Sequence, residues 1–232
     1  MTKKILIVED EPELANILKY LMEGEGFSVD IEYNGESALS YIQKDRPDVV
    51  ILDIMLPKMN GFEVCNQIRR FTTIPVLILS AKMQAEDIIK GLEIGADDYM
   101  TKPFNHRELV LRIKKILSRK KLGTTADEDK GLKVGELEIF LSAKRVLLNG
   151  AEVAVTPIEY KLLSCLAMNE GRILSWESLL KEVWGHDDWN GGDKLVKVSI
   201  GRLRKKLEGT ADAEKYIVNV WGMGYKLVDP SA

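Results

Sequence analysis

The amino-acid sequence predicts an α/β unit built on a five-stranded parallel sheet, followed by a smaller α+β unit with three helices and a terminal β-hairpin. Three observations carry this reading. In the first half of the 232 residues, short apolar runs rich in β-branched residues alternate five times with helical patterns, as in a parallel sheet covered on both faces. Residues 119–131 (RKKLGTTADEDKG) have no apolar face and read as a flexible linker, placed at 121–131 between units spanning 1–120 and 132–232. Beyond them come short strands in succession, then three helical patterns and a hairpin.

The first unit opens with an apolar strand, Lys3–Val8, which ends at Glu9, Asp10 and Glu11. Pro12 suits the first helical position. Leu14, Ile17, Leu18, Leu21 and Met22 then recur at helical spacing, and Gly24 and Gly26 stop the helix. Phe27–Glu32 reads as a strand and Gly35–Lys44 as a helix. Val49–Leu52 is uninterruptedly apolar, which fits a strand buried on both faces; it ends at Asp53, and Pro57 punctuates the loop beyond. A helix over Gly61–Arg70, a buried strand Pro75–Ser80 and a helix Glu86–Ile94 follow. Asp97–Thr101 is a short strand before Lys102-Pro103, and Asn105 can cap a last helix with Leu109, Ile113, Ile116 and Leu117 inward.

In the second unit, Leu132–Val134, Leu137–Phe140, Arg145–Leu148 and Glu152–Val155 read as a small antiparallel sheet, with Asn149-Gly150 as a hairpin turn. Helices are predicted over Pro157–Met168, Trp176–Trp184 and Lys194–Glu208; Thr156 and Glu159 have the form of a capping box around Pro157. Tyr216–Val220 and Gly224–Leu227 form the last hairpin. On the third helix, Val196, Ile200, Leu203 and Leu207 make a core stripe. The opposite side carries Lys194, Val198, Gly201, Arg202 and Lys205, flanked by Lys197 and Arg204. Taken singly, such a helix is more often just a solvated face. With a helix before it and a hairpin after it, the arrangement reads as a winged helix-turn-helix that lays this helix in the major groove of DNA.

Composition narrows the function classes. No stretch approaches a membrane span, and the apolar run at the start breaks at Glu9, too short for a signal peptide, so a cytoplasmic protein with no membrane partner is expected. Cys65 and Cys165 belong to no CxxC pair and lie in apolar helical patterns, so they read as reduced core thiols; with only two histidines, zinc is disfavoured. The net charge of −3 is uneven: residues 1–118 hold 15 Lys/Arg against 19 Asp/Glu, while 194–206 hold six basic residues and no acid. Such clustering matters more for nucleic-acid binding than the whole-chain charge.

The polar residues of the first unit fall at strand ends. Glu9 and Asp10, Asp53, Ser80 and Lys102 each end a strand or directly follow one. In a parallel sheet those ends share one edge, where open α/β folds bind ligands. Asp53 alone is as readily a turn residue as a reactive group, and each of the others has an equally plain alternative. Together they describe an oxygen-rich site suited to Mg²⁺ (or Mn²⁺) and to phosphoryl transfer onto Asp53, with Lys102 and the Ser80 hydroxyl available to the phosphoryl oxygens. Haloacid-dehalogenase-type phosphatases also use an Asp after a strand, but with a second Asp two residues on as proton donor. Here that residue is Met55, which argues against them.

The stretches IVEDEP, VVILDIMLPKMNGFEV, VLILSA and GADDYMTKPF make residues 1–120 resemble the flavodoxin-like receiver domain of two-component response regulators. The stretches VTPIEYKLL, DKLVKVSIGRLRKKLE and VWGMGYKL resemble the winged-helix effector domain of the OmpR/PhoB subfamily. The resemblance implies a transcription factor rather than an enzyme, acting catalytically only on its own phosphorylation and dephosphorylation. Asp53 would take a phosphoryl group from a sensor histidine kinase. Glu9, Asp10, Asp53 and the backbone carbonyl of Met55 would hold the metal, Glu9 through a water. Ser80 and Tyr99 would form the switch, and the Lys102–Pro103 bond would be cis. Lys90, Asp97, Asp98, Glu108, Arg112 and Lys114 would line the face of a homodimer formed on phosphorylation. Lys194, Lys197, Val198, Arg202, Arg204, Lys205 and the wing residue Trp221 would meet double-stranded DNA at a direct repeat, and the loop Gly185–Gly192 would meet RNA polymerase. A phosphorylation-independent regulator, with the first unit only a dimerisation module, is the alternative. The sequence departs from the pattern at Ile88, Ser199, Gly201 and Trp221, where basic residues or histidine are common in the family. At Trp221 the choice lies between a wing that lacks a minor-groove cation and an indole packed on its own hairpin.

Overall fold

The computed structural model describes residues 2–117, 131–185 and 192–231. The expected linker, apart from Gly131, and residues 186–191 of the Gly185–Gly192 loop lie outside them. The chain divides into two units, Met1–Leu117 and Ser118–Ala232.

In the first unit, β1 (Lys4–Val8), β2 (Ser28–Glu32), β3 (Val49–Leu52), β4 (Val76–Ser80) and β5 (Asp98–Thr101) form one sheet in the order β2-β1-β3-β4-β5, every pair parallel. All four residues of β3 and all five of β4 are buried, so the apolar runs record strands with helices on both faces. The covering helices are α1 (Pro12–Gly24), α2 (Gly35–Asp45), α3 (Gly61–Phe71), α4 (Ala85–Ile94) and α5 (His106–Leu117). Asn34 and Asn60 cap α2 and α3 by accepting from the Ser37 and Phe62 amides, and Asn105 caps α5 through the Arg107 and Glu108 amides. The apolar face expected on α1 is narrower than its spacing suggested, since Ile17 is half exposed while Leu18 and Met22 are fully buried.

Gly61, the first residue of α3, is forced by packing. A Cβ there would sit 2.1 Å from the Asp53 carbonyl oxygen and 2.7 Å from the Ile54 Cα. Only glycine lets α3 start against the exit of β3, and that contact fixes the backbone that carries Asp53.

The second unit opens with a four-stranded antiparallel sheet of β6 (Leu132–Val134), β7 (Leu137–Phe140), β8 (Arg145–Leu148) and β9 (Ala151–Glu152). The last strand is shorter and earlier than expected. The Asn149-Gly150 turn pairs Leu148 directly with Ala151, and five residues later Thr156 caps the next helix. That helix, α6 (Pro157–Met168), has the expected capping box: the Thr156 side chain accepts from the Glu159 amide, and Glu159 accepts from the Thr156 amide. The second helical segment is α-helical only over α7 (Trp176–Leu179) and continues as a π turn through Leu180–Trp184. Over so few residues, side-chain periodicity cannot tell the two windings apart. Helix α8 (Gly192–Glu208) follows, then the hairpin of β10 (Ile217–Val220) and β11 (Gly224–Leu227). The hairpin is tied back to the entry of α7 by two backbone hydrogen bonds between Leu174 and Tyr225, at 2.8 and 2.9 Å.

Candidate functional site

The register of the first sheet brings its strand ends together. Val8 lies beside Leu52, Leu52 beside Ile78, and Ser80 beside Thr101. The residues that follow therefore gather on one edge. Glu9 and Asp53 are buried, Asp10 is exposed, and each of the three offers a carboxylate oxygen within 4.8 Å of the others. The Lys102 ammonium donates to Glu9 Oε2 at 2.7 Å and to Asp53 Oδ2, while the Met55 amide donates to Asp53 Oδ1 at 3.0 Å. Both oxygens of Asp53 are thus held by donors, and its rotamer is set before any ligand arrives. The Lys102–Pro103 peptide is cis, as the resemblance implied.

Electrostatically the site is strained toward positive ligands. Burial, with the Asp53 and Asp10 charges close by, pushes Glu9 up to about 7 against the pull of Lys102. Burial disfavours the Lys102 ammonium, but its hydrogen bonds to Asp53 and Glu9 outweigh this and raise its pKa. A donor set made of the carboxylate oxygens of Glu9, Asp10 and Asp53, with neither thiolate nor imidazole, fits a hard divalent cation such as Mg²⁺.

Ser80 and Tyr99, on neighbouring strands, are fully buried. The Tyr99 hydroxyl donates to the Lys82 carbonyl at 2.9 Å, in the loop between β4 and α4. Burial raises the Tyr99 phenol to about 12, so it remains a donor. The ring has room because α4 carries Gly91 above it. A Cβ at Gly91 would stand 3.0 Å from Ile78 Cδ1 and 3.1 Å from Tyr99 Cδ2. Sequence reasoning missed Gly91, which has no local turn or cap to mark it.

In the second unit, the outer side of α8 is less open than its charge pattern suggested. Lys197 and Lys205 are exposed, and Lys194 and Val198 are half-buried. Arg202 is drawn to Glu159, with Nη2 at 3.0 Å from Oε1, and only 13% of its side chain is exposed. Lys206 donates to Glu159 Oε2 at 2.6 Å and to the Ala154 carbonyl at 2.8 Å. Glu159 is fully buried on α6. Burial raises its pKa, but the Arg202 and Lys206 charges outweigh burial and hold the carboxyl below its ordinary range. Trp221 stands at the hairpin tip, 90% exposed. The alternative in which it packs on its own hairpin is therefore overturned.

Comparison with known proteins places both units. Residues 5–114 match the response regulator receiver domain, and residues 150–227 match the C-terminal domain of transcriptional regulatory proteins. The chain is 39% identical to the alkaline phosphatase synthesis transcriptional regulatory protein PhoP of Bacillus subtilis, over 99% of this chain and 98% of that one. It is 38% identical to the DNA-binding response regulator MtrA of Mycolicibacterium smegmatis, over 99% of each. The chain belongs to the response regulators of the OmpR/PhoB subfamily. Among solved structures, DrrB, an OmpR/PhoB homologue from Thermotoga maritima, aligns over 98% of this chain and 100% of its own at 30% identity, with a TM-score of 0.52. A point mutant of RitR aligns over 98% and 99% at 27% identity, with a TM-score of 0.74.

Several residues that the family resemblance assigned to surfaces of this regulator are committed inside it. Asp97 is buried: its carboxylate accepts from Arg69 Nη2 at 2.7 Å and from the Val76 amide at 2.9 Å, joining α3 to the sheet. Its expected place on a dimer face is corrected on that ground. Asp98 and Arg112 are likewise buried, paired at 2.7 Å, and Arg112 also binds Glu108 one helical turn away. The charge that faces outward from this trio is that of Glu108, whose side chain is 43% exposed. Lys114 pairs with Glu25 at the end of α1, and Lys90 lies 5.0 Å from the centre of the Phe62 ring. On α8, Arg204 is 8% exposed and directs Nε and Nη2 onto the Ile217 carbonyl, at 3.0 and 2.8 Å. Expected to meet DNA, it instead anchors the hairpin to the helix. Ser199, one of the departures from the family, is buried too.

Among the described residues, no helix is long and apolar enough to cross a membrane.

Proposed function

We propose that this chain is a cytoplasmic transcription factor switched by phosphorylation of Asp53. The observation that carries the reading is the convergence of Glu9, Asp10, Asp53, Ser80 and Lys102 on one sheet edge, in a chain whose other half belongs to a DNA-binding family. The donor is the phosphohistidine of a sensor kinase. An oxygen of the Asp53 carboxylate attacks phosphorus in line with the departing imidazole nitrogen, the P–N bond breaks as the P–O bond forms, and the imidazole takes up a proton. Lys102 and the Met55 amide orient the carboxylate for this attack, and Lys102 then follows the new charge onto the phosphoryl oxygens. Glu9, Asp10, Asp53 and the Met55 carbonyl would hold Mg²⁺ or Mn²⁺, whose charge when bound neutralises the phosphoryl oxygens.

Ser80 donates its hydroxyl to the phosphoryl group, and Tyr99 keeps its buried place beside it, which fixes the β4–α4 loop through Lys82. That conformation favours pairing of two copies through α4, β5 and α5, with Glu108 and Lys90 as its charged contacts. Two winged helices are then presented to a direct repeat, while the Gly185–Gly192 loop meets RNA polymerase. The test is phosphotransfer from acetyl phosphate with Mg²⁺, read by intact mass, with genomic footprinting in parallel. Wild type gains one phosphoryl group and occupies its sites in a phosphorylation-dependent way; Asp53→Ala does neither. Footprints unchanged in Asp53→Ala would favour the alternative, a regulator whose first unit only dimerises.

A further inference from the structure

The hairpin that follows α8 ends in a tip that a soluble protein has no evident reason to keep. Trp221 is 90% exposed and Met223 58%. Val220 and Gly224 make the last strand pair, so Trp221, Gly222 and Met223 stand beyond the ladder. From Tyr216 to Tyr225 there is no charged residue, so the tip offers a phosphate no cation. The hairpin is nonetheless held firmly. Arg204 of α8 clamps the Ile217 carbonyl, and Leu174 pairs with Tyr225 through both backbone groups. A large apolar side chain is thus carried in water on a rigid arm that is fastened to the helix of a DNA-binding domain.

We propose that the wing tip is an uncharged wedge: Trp221, with Met223, enters the minor groove flanking the site occupied by α8. The proposal rests on the DNA-binding reading above and adds to it how this wing reads its site. Apolar side chains that enter a minor groove lean on sugars and partly unstack a base step. The cost is lowest at flexible pyrimidine–purine steps. The wing would accordingly select TA or CA steps in the flank by their deformability, without the pull of a cation toward a narrow A·T groove. Arg204 is then a positioning residue, setting the distance between major-groove helix and minor-groove wedge.

The test uses the full chain and a duplex that wild type selects from a randomised pool, with affinity measured by anisotropy across a salt series. Replacing Trp221 by Ala should weaken binding by roughly tenfold or more, the range expected for loss of one aromatic stack on a base. The slope of log affinity against log salt should stay at the wild-type value, because no cation is removed. Trp221→Arg should steepen that slope by about 0.9. A 2-aminopurine placed at the flanking step should change emission with wild type and not with Trp221→Ala. Unchanged affinity and emission in Trp221→Ala would overturn the wedge, and would assign the tip to a protein partner if transcription still fell. A shallower slope in Trp221→Ala would overturn it as well. If wild type selects no duplex at all, DNA binding itself fails, which is distinct from a wing that does not matter.

Discussion

Glu159 offers the most direct test of the effector unit. Its buried carboxylate accepts from the Thr156 amide at 2.8 Å and from Lys206 at 2.6 Å, and it faces Arg202 at 3.0 Å. Replacing it with Ala removes the carboxylate shared by two cations and one cap donor. Breaking a buried pair costs about 3–5 kcal/mol. Here Arg202 and Lys206 keep 13% and 31% side-chain exposure and can turn toward water, which lowers the expected cost to about 2–3 kcal/mol. For a unit of this size, each kcal/mol moves Tm by about 4–8 °C, so the effector transition should fall by roughly 10–20 °C in calorimetry while the receiver transition stays put. The same change takes a carboxylate from beside two cations on α8, so the salt slope of DNA binding should steepen by up to about 1.8. The pH dependence has a definite sign. Glu159 titrates below its ordinary 4.5 in the fold because the Arg202 and Lys206 charges outweigh burial. Its stabilisation is therefore fully present above that value and is lost as pH falls through the lower, folded one. The stability gap between wild type and Glu159→Gln should narrow below that pH. An effector transition that moves by less than a few degrees in Glu159→Ala, with an unaltered salt slope, would refute the hold of Glu159 on Arg202 and Lys206.

Two further substitutions probe the couplings that the fold establishes. Gly91→Ala places a methyl 3.1 Å from Tyr99 Cδ2 and 3.0 Å from Ile78 Cδ1; overpacking of about 1–3 kcal/mol is offset by about 1 kcal/mol of helix propensity. Stability should then fall by at most about 2 kcal/mol, while the buried Tyr99 rotamer loses about 1–2 kcal/mol relative to other positions. The dimer fraction with beryllofluoride, measured by sedimentation, should fall several-fold; an unchanged fraction would remove Gly91 from the switch. Arg204→Ala removes two charged hydrogen bonds to the Ile217 carbonyl, at 3.0 and 2.8 Å, and should cost about 2 kcal/mol. Amide exchange across Ile217–Val220 should accelerate and DNA affinity should drop with no change of salt slope. A reduced slope would show that Arg204 meets phosphate after all.

Much of this protein is legible in its sequence because the decisive signals are local. Val49–Leu52 and Val76–Ser80 show buried strands by composition alone, and a parallel arrangement necessarily brings Asp53, Ser80 and Lys102 to one edge. The capping box at Thr156 and the core stripe of α8 are also written in adjacent residues, and the structure contains both. The π turn at Leu180–Trp184 was not legible, since the two helical periods diverge too slowly to separate within one turn.

Where the charges go is a matter of packing between elements. Asp97, Arg112, Arg202 and Arg204 look in sequence like surface groups for a partner or for DNA. The fold brings Arg69 to Asp97, Asp98 to Arg112, Glu159 to Arg202, and the Ile217 carbonyl to Arg204. A charged side chain shows its sign in the sequence but not its partner, because that partner arrives from another element and burial compels the pairing. The same holds in reverse for Trp221: an indole reads as core by type, and only the packing of the hairpin leaves it in water. Local residue patterns specified the sheet, the carboxylate-rich edge and the helix that carries the basic residues. Which of those residues remain free to act was settled by the neighbours that folding supplied.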